Sequence, residues 1–260
     1  MLKGKSAVVT GSTSGIGLGI ARALAKQGVN VMLNGFGDAA AIEQVRSSLA
    51  AETGVTVLYS GADMSKGPEV ADMVLAAETA FGGLDILVNN AGIQFVSPVD
   101  EFPGAKWDAI QNINLNSTFH AVKAAFPGMK KRNWGRVVNI VSAHGLVASP
   151  FKSAYVSAKH GQIGFTKAAA LEVAESNITV NAICPGYVRT PLVEGQIDDQ
   201  AKAHNMPRDK VIREVILASQ PNKRFIEVEE VAALAVFLCG EMAKSITGTA
   251  IAIDGGWTAR

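Results

Sequence analysis

The sequence predicts a single α/β domain built on a doubly wound, Rossmann-type parallel sheet of about seven strands, with helices on both faces. Three observations carry this. Short β-branched runs alternate along the whole chain with alanine-rich segments of helical period. No Pro-, Gly- or Ser-rich linker, internal repeat or low-complexity tract divides the 260 residues. Loops with ligand-binding character follow several of the strands, from Gly11 to Gly256. Such alternation favours parallel strands, because right-handed βαβ crossovers place a helix between consecutive strands.

In order, the first strand is expected at 7–10 (AVVT), followed by Thr10-Gly11-Ser12-Thr13-Ser14-Gly15-Ile16-Gly17 and a helix over 16–27. Glycines at 11, 15 and 17 suit a tight turn that lets the backbone approach a pyrophosphate facing a helix N-terminus. Their spacing is three-then-one rather than the commoner one-then-two, and the motif alone also fits a flexible turn. The strand before and the helix after it favour cofactor binding.

The second strand, 30–34, runs into Asn34-Gly35-Phe36-Gly37-Asp38 and a helix over 39–52. A basic residue here would bind a ribose 2′-phosphate, and an acidic one the free 2′-hydroxyl. Neither this stretch nor the glycine loop holds Arg or Lys, so NAD is preferred over NADP. Asp38 suits the ribose and equally suits the N-cap of the following helix. The third strand, 56–60, precedes Asp63 and a helix over 69–81; the fourth, 86–89, precedes Asn90-Ala91-Gly92 and a helix over 105–131. Both loops lie where doubly wound sheets bind ligands, although each is also an ordinary turn signal.

A fifth strand at 136–141 ends at Ser142, and a helix over 154–176 carries Tyr155 and Lys159. Positions i and i+4 share a helix face, so a phenol and an ammonium face the same space. An ordinary phenol, with a pKa of about 10, is a poor base near neutrality, and a neighbouring cation favours the phenolate. A Tyr-x3-Lys pair alone is weak; with Ser142 thirteen residues before it, the combination is stronger. Asn114 has two readings, a partner for a bent helix backbone or relay water, and a solvent-facing polar residue. A sixth strand at 179–183, a helix over 229–239 and a seventh strand at 250–253 complete the sheet. Residues 186–221 break the rhythm with helical pieces at 196–204 and 208–218, either a substrate lid or a surface hairpin of helices.

Composition narrows the function. The 24 basic and 23 acidic residues nearly cancel and form no run of five like charges, so no footprint for nucleic acid or anionic membrane exists. The expected partner is a small molecule or another copy of the chain. Cys184 and Cys239 lack metal-ligand spacing and read as buried thiols in a reducing compartment, with no metal site. No secretory h-region opens the chain and no apolar stretch reaches membrane-spanning length, so a cytoplasmic location is expected.

Together, Thr10-Gly11-x3-Gly15-x-Gly17, Asp63, Asn89-Asn90-Ala91-Gly92, Asn114, Ser142, Tyr155-x3-Lys159, Pro185-Gly186 and Asp254-Gly255-Gly256 resemble the short-chain dehydrogenase/reductase family over essentially the whole chain. The resemblance implies a homotetramer and a catalytic tetrad of Asn114, Ser142, Tyr155 and Lys159. It also implies a cofactor site of Gly11, Thr13, Gly15, Ile16, Gly17, Phe36, Asp63, Asn90, Ala91, Gly92, Tyr155, Lys159, Pro185, Gly186, Val188 and Thr190. Lys159 is expected at the nicotinamide ribose, with Val188 and Thr190 at the carboxamide.

Asn34-Gly35-Phe36-Gly37, Ile93-Gln94, the run from Ser142 to Ser149, Arg189 to Glu194 and Trp257-Thr258-Ala259-Arg260 are similar to family members that oxidise (R)-3-hydroxybutyrate to acetoacetate with NAD. That similarity implies a substrate site of Ser142 and Tyr155, a carboxylate held by Gln94, His144, Lys152 and Gln196, and Tyr187 as an aromatic wall. Read singly, Lys152 is equally a surface lysine and His144 a loop hydrogen-bonder. Phe95, Pro150-Phe151 and Tyr187 depart from the usual pattern, which bears on chain-length preference. Two other functions fit the scaffold: a 3-oxoacyl thioester reductase and a non-catalytic dinucleotide sensor.

Overall fold

In the computed structural model, residues 2–203 and 205–259 are described, except for the side chains of Leu192, Gln196, Asp199, Gln200 and Ala203. Among them, β1 (Ser6–Val9), β2 (Asn30–Asn34), β3 (Val57–Ser60), β4 (Ile86–Asn89), β5 (Gly135–Ile140), β6 (Ile178–Pro185) and β7 (Ala250–Ile253) form one sheet. Its order is β3-β2-β1-β4-β5-β6-β7, with every neighbouring pair parallel. Winding reverses between β1 and β4. In open α/β sheets that reversal opens a crevice beyond the carboxyl ends of the strands, where ligands sit.

The central strands β1, β4, β5 and β6 are buried along their whole length, whereas the edge strands β3 and β7 are not. Burial on both faces explains why these strands read as continuous apolar runs rather than alternating ones. Successive side chains point to opposite faces, so Val9 joins a core with Ile20, Leu24 and Leu238, while Val8 joins one with Val74, Ala125 and Met129. Burying each large aliphatic side chain stabilises the fold by about 1.5–3 kcal/mol. Helices α1 (Gly15–Lys26) and α9 (Val228–Cys239) cover the first face; α3 (Gly67–Phe81) and α5 (Ser117–Arg132) cover the second. Helix α2 (Ala39–Thr53) adds Leu49 to the first core.

Four expected helices differ in extent. The helix over 105–131 is two, α4 (Gly104–Gln111) and α5, joined by a π-helical turn at Asn112–Asn116. Ser117 Oγ donates to the Ile113 carbonyl at 2.7 Å, so a side chain satisfies the acceptor that the wider turn frees. The helix over 154–176 is α6 (Ser153–Glu172), which gives way to turns at Val173. Between β6 and β7, α7 (Pro191–Ala203) begins five residues before the expected start at 196, with Pro191 in its first turn and Thr190 Oγ1 accepting from the Val193 N–H. Helix α8 (Arg208–Val211) runs into a second π-helical turn, Ile212–Ile216, in place of one helix over 208–218. This insertion buries its own small core of Ile197, Val211, Leu217 and Phe225.

Candidate active site

The glycine loop lies in the crevice between β1 and β4. Gly17 is packed so closely that a Cβ there would sit 2.3 Å from the Gly11 carbonyl oxygen, and Gly11 adopts φ +60 with no room for a Cβ against Ala91. Asn90 Nδ2 donates to the carbonyls of Thr10 and Gly11, and Thr10 Oγ1 accepts from the backbone N–H groups of Asn90 and Ala91. Asn34 ties the next strand in: its Oδ1 accepts from Gly11 N–H and its Nδ2 donates to Ser60 and Ala62. The result is a tight turn at the N-terminus of α1, where Ser14 makes no side-chain cap and leaves first-turn N–H groups to a ligand. A Cβ-free cradle facing an uncapped helix terminus fits a dinucleotide pyrophosphate.

Phe36 is 68% exposed at the crevice edge, and its carbonyl receives a bond from Thr13 Oγ1. Asp38 accepts from Ala41 N–H at 2.9 Å, so of its two readings the N-cap is the one seen. Asp63 binds the hydroxyl and N–H of Ser65, which hold its carboxyl below the ordinary range. Across the crevice Thr190 comes close to Gly15, within ordinary contact of where a Cβ would lie. Val188 is buried and bridges to Ile226, while Gly186 N–H bonds Ile253. Pro185 ends β6 beside these residues and Gly92 faces the Asn114 amide. Ile16, in the first turn of α1, packs on the first core.

Tyr155 and Lys159 share a face of α6 as expected from their spacing. Burial pushes the Tyr155 phenol up, and the nearby Ser142 hydroxyl acts in the opposite direction. Ser142 also accepts from His144 N–H at 3.1 Å. Lys159 is buried, 5.6 Å from the Tyr155 ring centroid, and its Nζ donates to the Ile140 carbonyl and to Gln162 Oε1. Burial pushes its pKa down to about 7. Asn114 is buried in the π-helical turn, not solvent-facing; its amide exchanges two hydrogen bonds with the backbone of Ile93, at 2.8 and 2.9 Å. It thereby pins the loop after β4 beside α6.

At the other end of the crevice His144 is buried, bonded to Ser149 Oγ, and pushed down to about 4 by desolvation and then by the nearby Lys152 charge. Its ring meets Tyr155 at 6.0 Å and Trp257 at 5.0 Å, and Trp257 stacks on Tyr187 at 5.7 Å. Lys152 is half-buried at the start of α6, its pKa lowered by burial, and among the described residues no carboxylate pairs with it. The preceding Phe151 is held at φ +65, a conformation that costs a non-glycine residue about 1 kcal/mol, while its carbonyl bonds Ser97 N–H. Gln94 lies exposed on the pinned loop. Gln196 lies on α7, and its side chain falls outside the described residues. Phe95 does not join this site: it packs edge-on to Phe102 above Ile110 and Ala158.

Four contributors are absent from the expected site: Asn34 as the hinge between loops, Gln162 beside Lys159, Gln220 and Trp257. Buried Gln220 accepts from Tyr187 N–H and donates to Arg224, fixing the turn after β6. Asp254 binds Gly256, Thr258 N–H and the Thr258 hydroxyl, which curls the C-terminal turn so that Trp257 reaches His144.

Residues 11–258 match the family model described as enoyl-(acyl carrier protein) reductase. A D-beta-hydroxybutyrate dehydrogenase of Rhizobium meliloti is 59% identical over 256 residues, covering 98% of this chain and 99% of that protein. Another protein of that name, from Cupriavidus necator, is 54% identical over 261 residues and 100% of both chains. The crystal structure of an actinorhodin polyketide ketoreductase variant with NADPH is 34% identical with a TM-score of 0.90, covering 98% of each chain. A family match across nearly its whole length, on this sheet and around this Tyr155–Lys159 pair, means that the chain belongs to the short-chain dehydrogenase/reductase family.

Proposed function

We propose that the chain reversibly oxidises (R)-3-hydroxybutyrate to acetoacetate with NAD. One observation carries this reading: His144 meets both Tyr155 and Trp257, Trp257 stacks on Tyr187, and the half-buried Lys152, with no described carboxylate paired to it, bears on the same His144. A hydroxyl at one end and a carboxylate at the other match that spacing of chemistry, and both hydroxybutyrate dehydrogenases above share more than half of the residues.

Tyr155 takes the substrate hydroxyl proton, and Ser142 holds the same oxygen by hydrogen bonding. The Lys159 ammonium favours the phenolate and offers its remaining donor to the cofactor ribose. The bound nicotinamide supplies the hydride acceptor, as is the cofactor's part in such chemistry. Lys152 pairs with the carboxylate, aided by Gln94 and Gln196, while neutral His144 orients it and the Tyr187–Trp257 stack keeps water out. Gly11, Gly15 and Gly17 admit the pyrophosphate, and Asn90, Ala91, Pro185, Gly186, Val188 and Thr190 line the nicotinamide end.

NAD is favoured over NADP because neither the glycine loop nor Asn34–Asp38 holds an Arg or Lys to meet a ribose 2′-phosphate. The insertion at 186–221 acts as the substrate lid. A homotetramer is the assembly the family resemblance implies, and exposed apolar side chains on two parts of the surface are offered for its interfaces. Phe119 and Leu171 are 45% and 78% exposed on α5 and α6, and Met242 is 88% exposed just after α9. Among the described residues no helix is long and apolar enough to cross a membrane, and we place the enzyme in the cytoplasm.

The test is formation of reduced cofactor from (R)- and (S)-3-hydroxybutyrate and from uncharged secondary alcohols, with NAD and NADP in parallel. The R acid with NAD is expected to give the highest kcat/KM, by at least tenfold. A preference for NADP, or for an uncharged alcohol, would overturn the assignment; cofactor binding without turnover would favour a sensor.

A further inference from the structure

We propose that Gln162 is a positioning residue that fixes Lys159 Nζ through an amide whose orientation Thr118 sets. The idea rests on the proton-transfer role of Tyr155 and Lys159 proposed above. Gln162 is 1% exposed, between α5 and α6. Its Nε2 donates to Thr118 Oγ1 at 2.9 Å, which leaves Oε1 facing Lys159 Nζ, also at 2.9 Å. Lys159 Nζ has one further acceptor, the Ile140 carbonyl at 3.0 Å.

The chemistry of each partner gives this contact a direction. An amide oxygen only accepts, and an ammonium only donates, so the contact stabilises the charged form of Lys159. Burial acts against that form. A polar side chain so deeply buried costs stability unless it is bonded, and Gln162 is bonded at both ends. Thr166 Oγ1 also donates to the Gln162 carbonyl and receives a bond from Asn139, which seats this turn of α6 against β5.

The titratable groups facing the pair come from several elements. Tyr155 shares the helix with Lys159, and Cys184 on β6 faces Lys159. His144 after β5 and Tyr187 after β6 face Tyr155. Lys152 bears on His144, and Asp254 on Cys184. From α5 the contact is the Thr118 hydroxyl. Gln162 is therefore the side-chain acceptor that keeps Lys159 charged, and a charged Lys159 keeps the Tyr155 phenolate accessible near neutrality.

The experiment is the pH profile of kcat for oxidation in wild type, Gln162→Met and Thr118→Val, with thermal stability measured alongside. Losing the acceptor raises the phenol's apparent pKa. In Gln162→Met the acid limb is therefore expected to move up by roughly one pH unit, with about tenfold lower kcat at neutral pH and recovery in alkali. Thr118→Val, which frees the amide to turn, should shift it less, in the same direction. A limb that stays in place in Gln162→Met while stability falls would mean a packing role only and overturn the proposal. If Gln162→Met does not fold, an unmoved limb in Thr118→Val does the same. A wild-type profile without an acid limb, or one kept in Tyr155→Phe, would instead overturn the underlying proton-transfer reading.

Discussion

Gly17→Ala would test whether the glycine cradle is set by space rather than by flexibility. An ideal Cβ at that position lies 2.3 Å from the Gly11 carbonyl oxygen and 2.5 Å from Asn90 Nδ2, far inside any tolerable contact. Gly11 is held in place from the other side, where its N–H donates to Asn34 Oδ1 and its backbone runs close to Ala91. The loop must therefore swing outward, breaking the 2.9 Å bond from Asn90 to the Gly11 carbonyl. Overpacking of this kind destabilises by about 1–3 kcal/mol. Misplaced N–H donors each forfeit a charge-assisted bond to a phosphate, worth about 1.5–3 kcal/mol, so NAD affinity should fall roughly 10- to 100-fold. Cofactor titration by fluorescence and thermal melting would measure both quantities. Gly104→Ala is the control, since nothing lies within 4 Å of its Cβ position. Wild-type NAD affinity and stability in Gly17→Ala would refute the steric reasoning.

Lys152→Ala should raise the KM for 3-hydroxybutyrate by roughly 10- to 100-fold, the worth of one charged hydrogen bond, with the Kd for NAD unchanged; an unchanged KM would remove the carboxylate role. His144 carries a pH signature in stability. Its folded pKa of about 4 lies below the unfolded value of 6.5, so the unfolded chain binds more protons between the two. Stability is fully present above pH 6.5 and falls as pH drops towards 4, by up to about 3 kcal/mol. Urea unfolding against pH should show that loss in wild type and a shallower one in His144→Gln; parallel curves would contradict it.

The fold was legible because strands buried on both faces announce themselves as short apolar runs, and the structure keeps all seven within a residue or two. Tyr155 and Lys159 were legible for a similar reason, since four residues on a helix is a local geometry. The rest depends on partners distant in sequence. Asn34, Gln162 and Gln220 are single polar residues whose roles come from contacts with Ser60, Thr118 and Tyr187, and no local spacing encodes those. The π-helical turn likewise follows from Ser117 and Asn114 finding partners, Ile113 and Ile93. Trp257 reaches His144 because Asp254 curls the C-terminal turn, a contact within four residues that gains meaning only beside His144.

The proton-transfer role of Tyr155 is tested most directly by the turnover of Tyr155→Phe with saturating NAD and (R)-3-hydroxybutyrate. The ring is kept and only the phenol oxygen is lost, so the fold and the Kd for NAD should persist while kcat falls by about 10²–10⁴. A kcat close to wild type would contradict the assignment of Tyr155 as the acid/base.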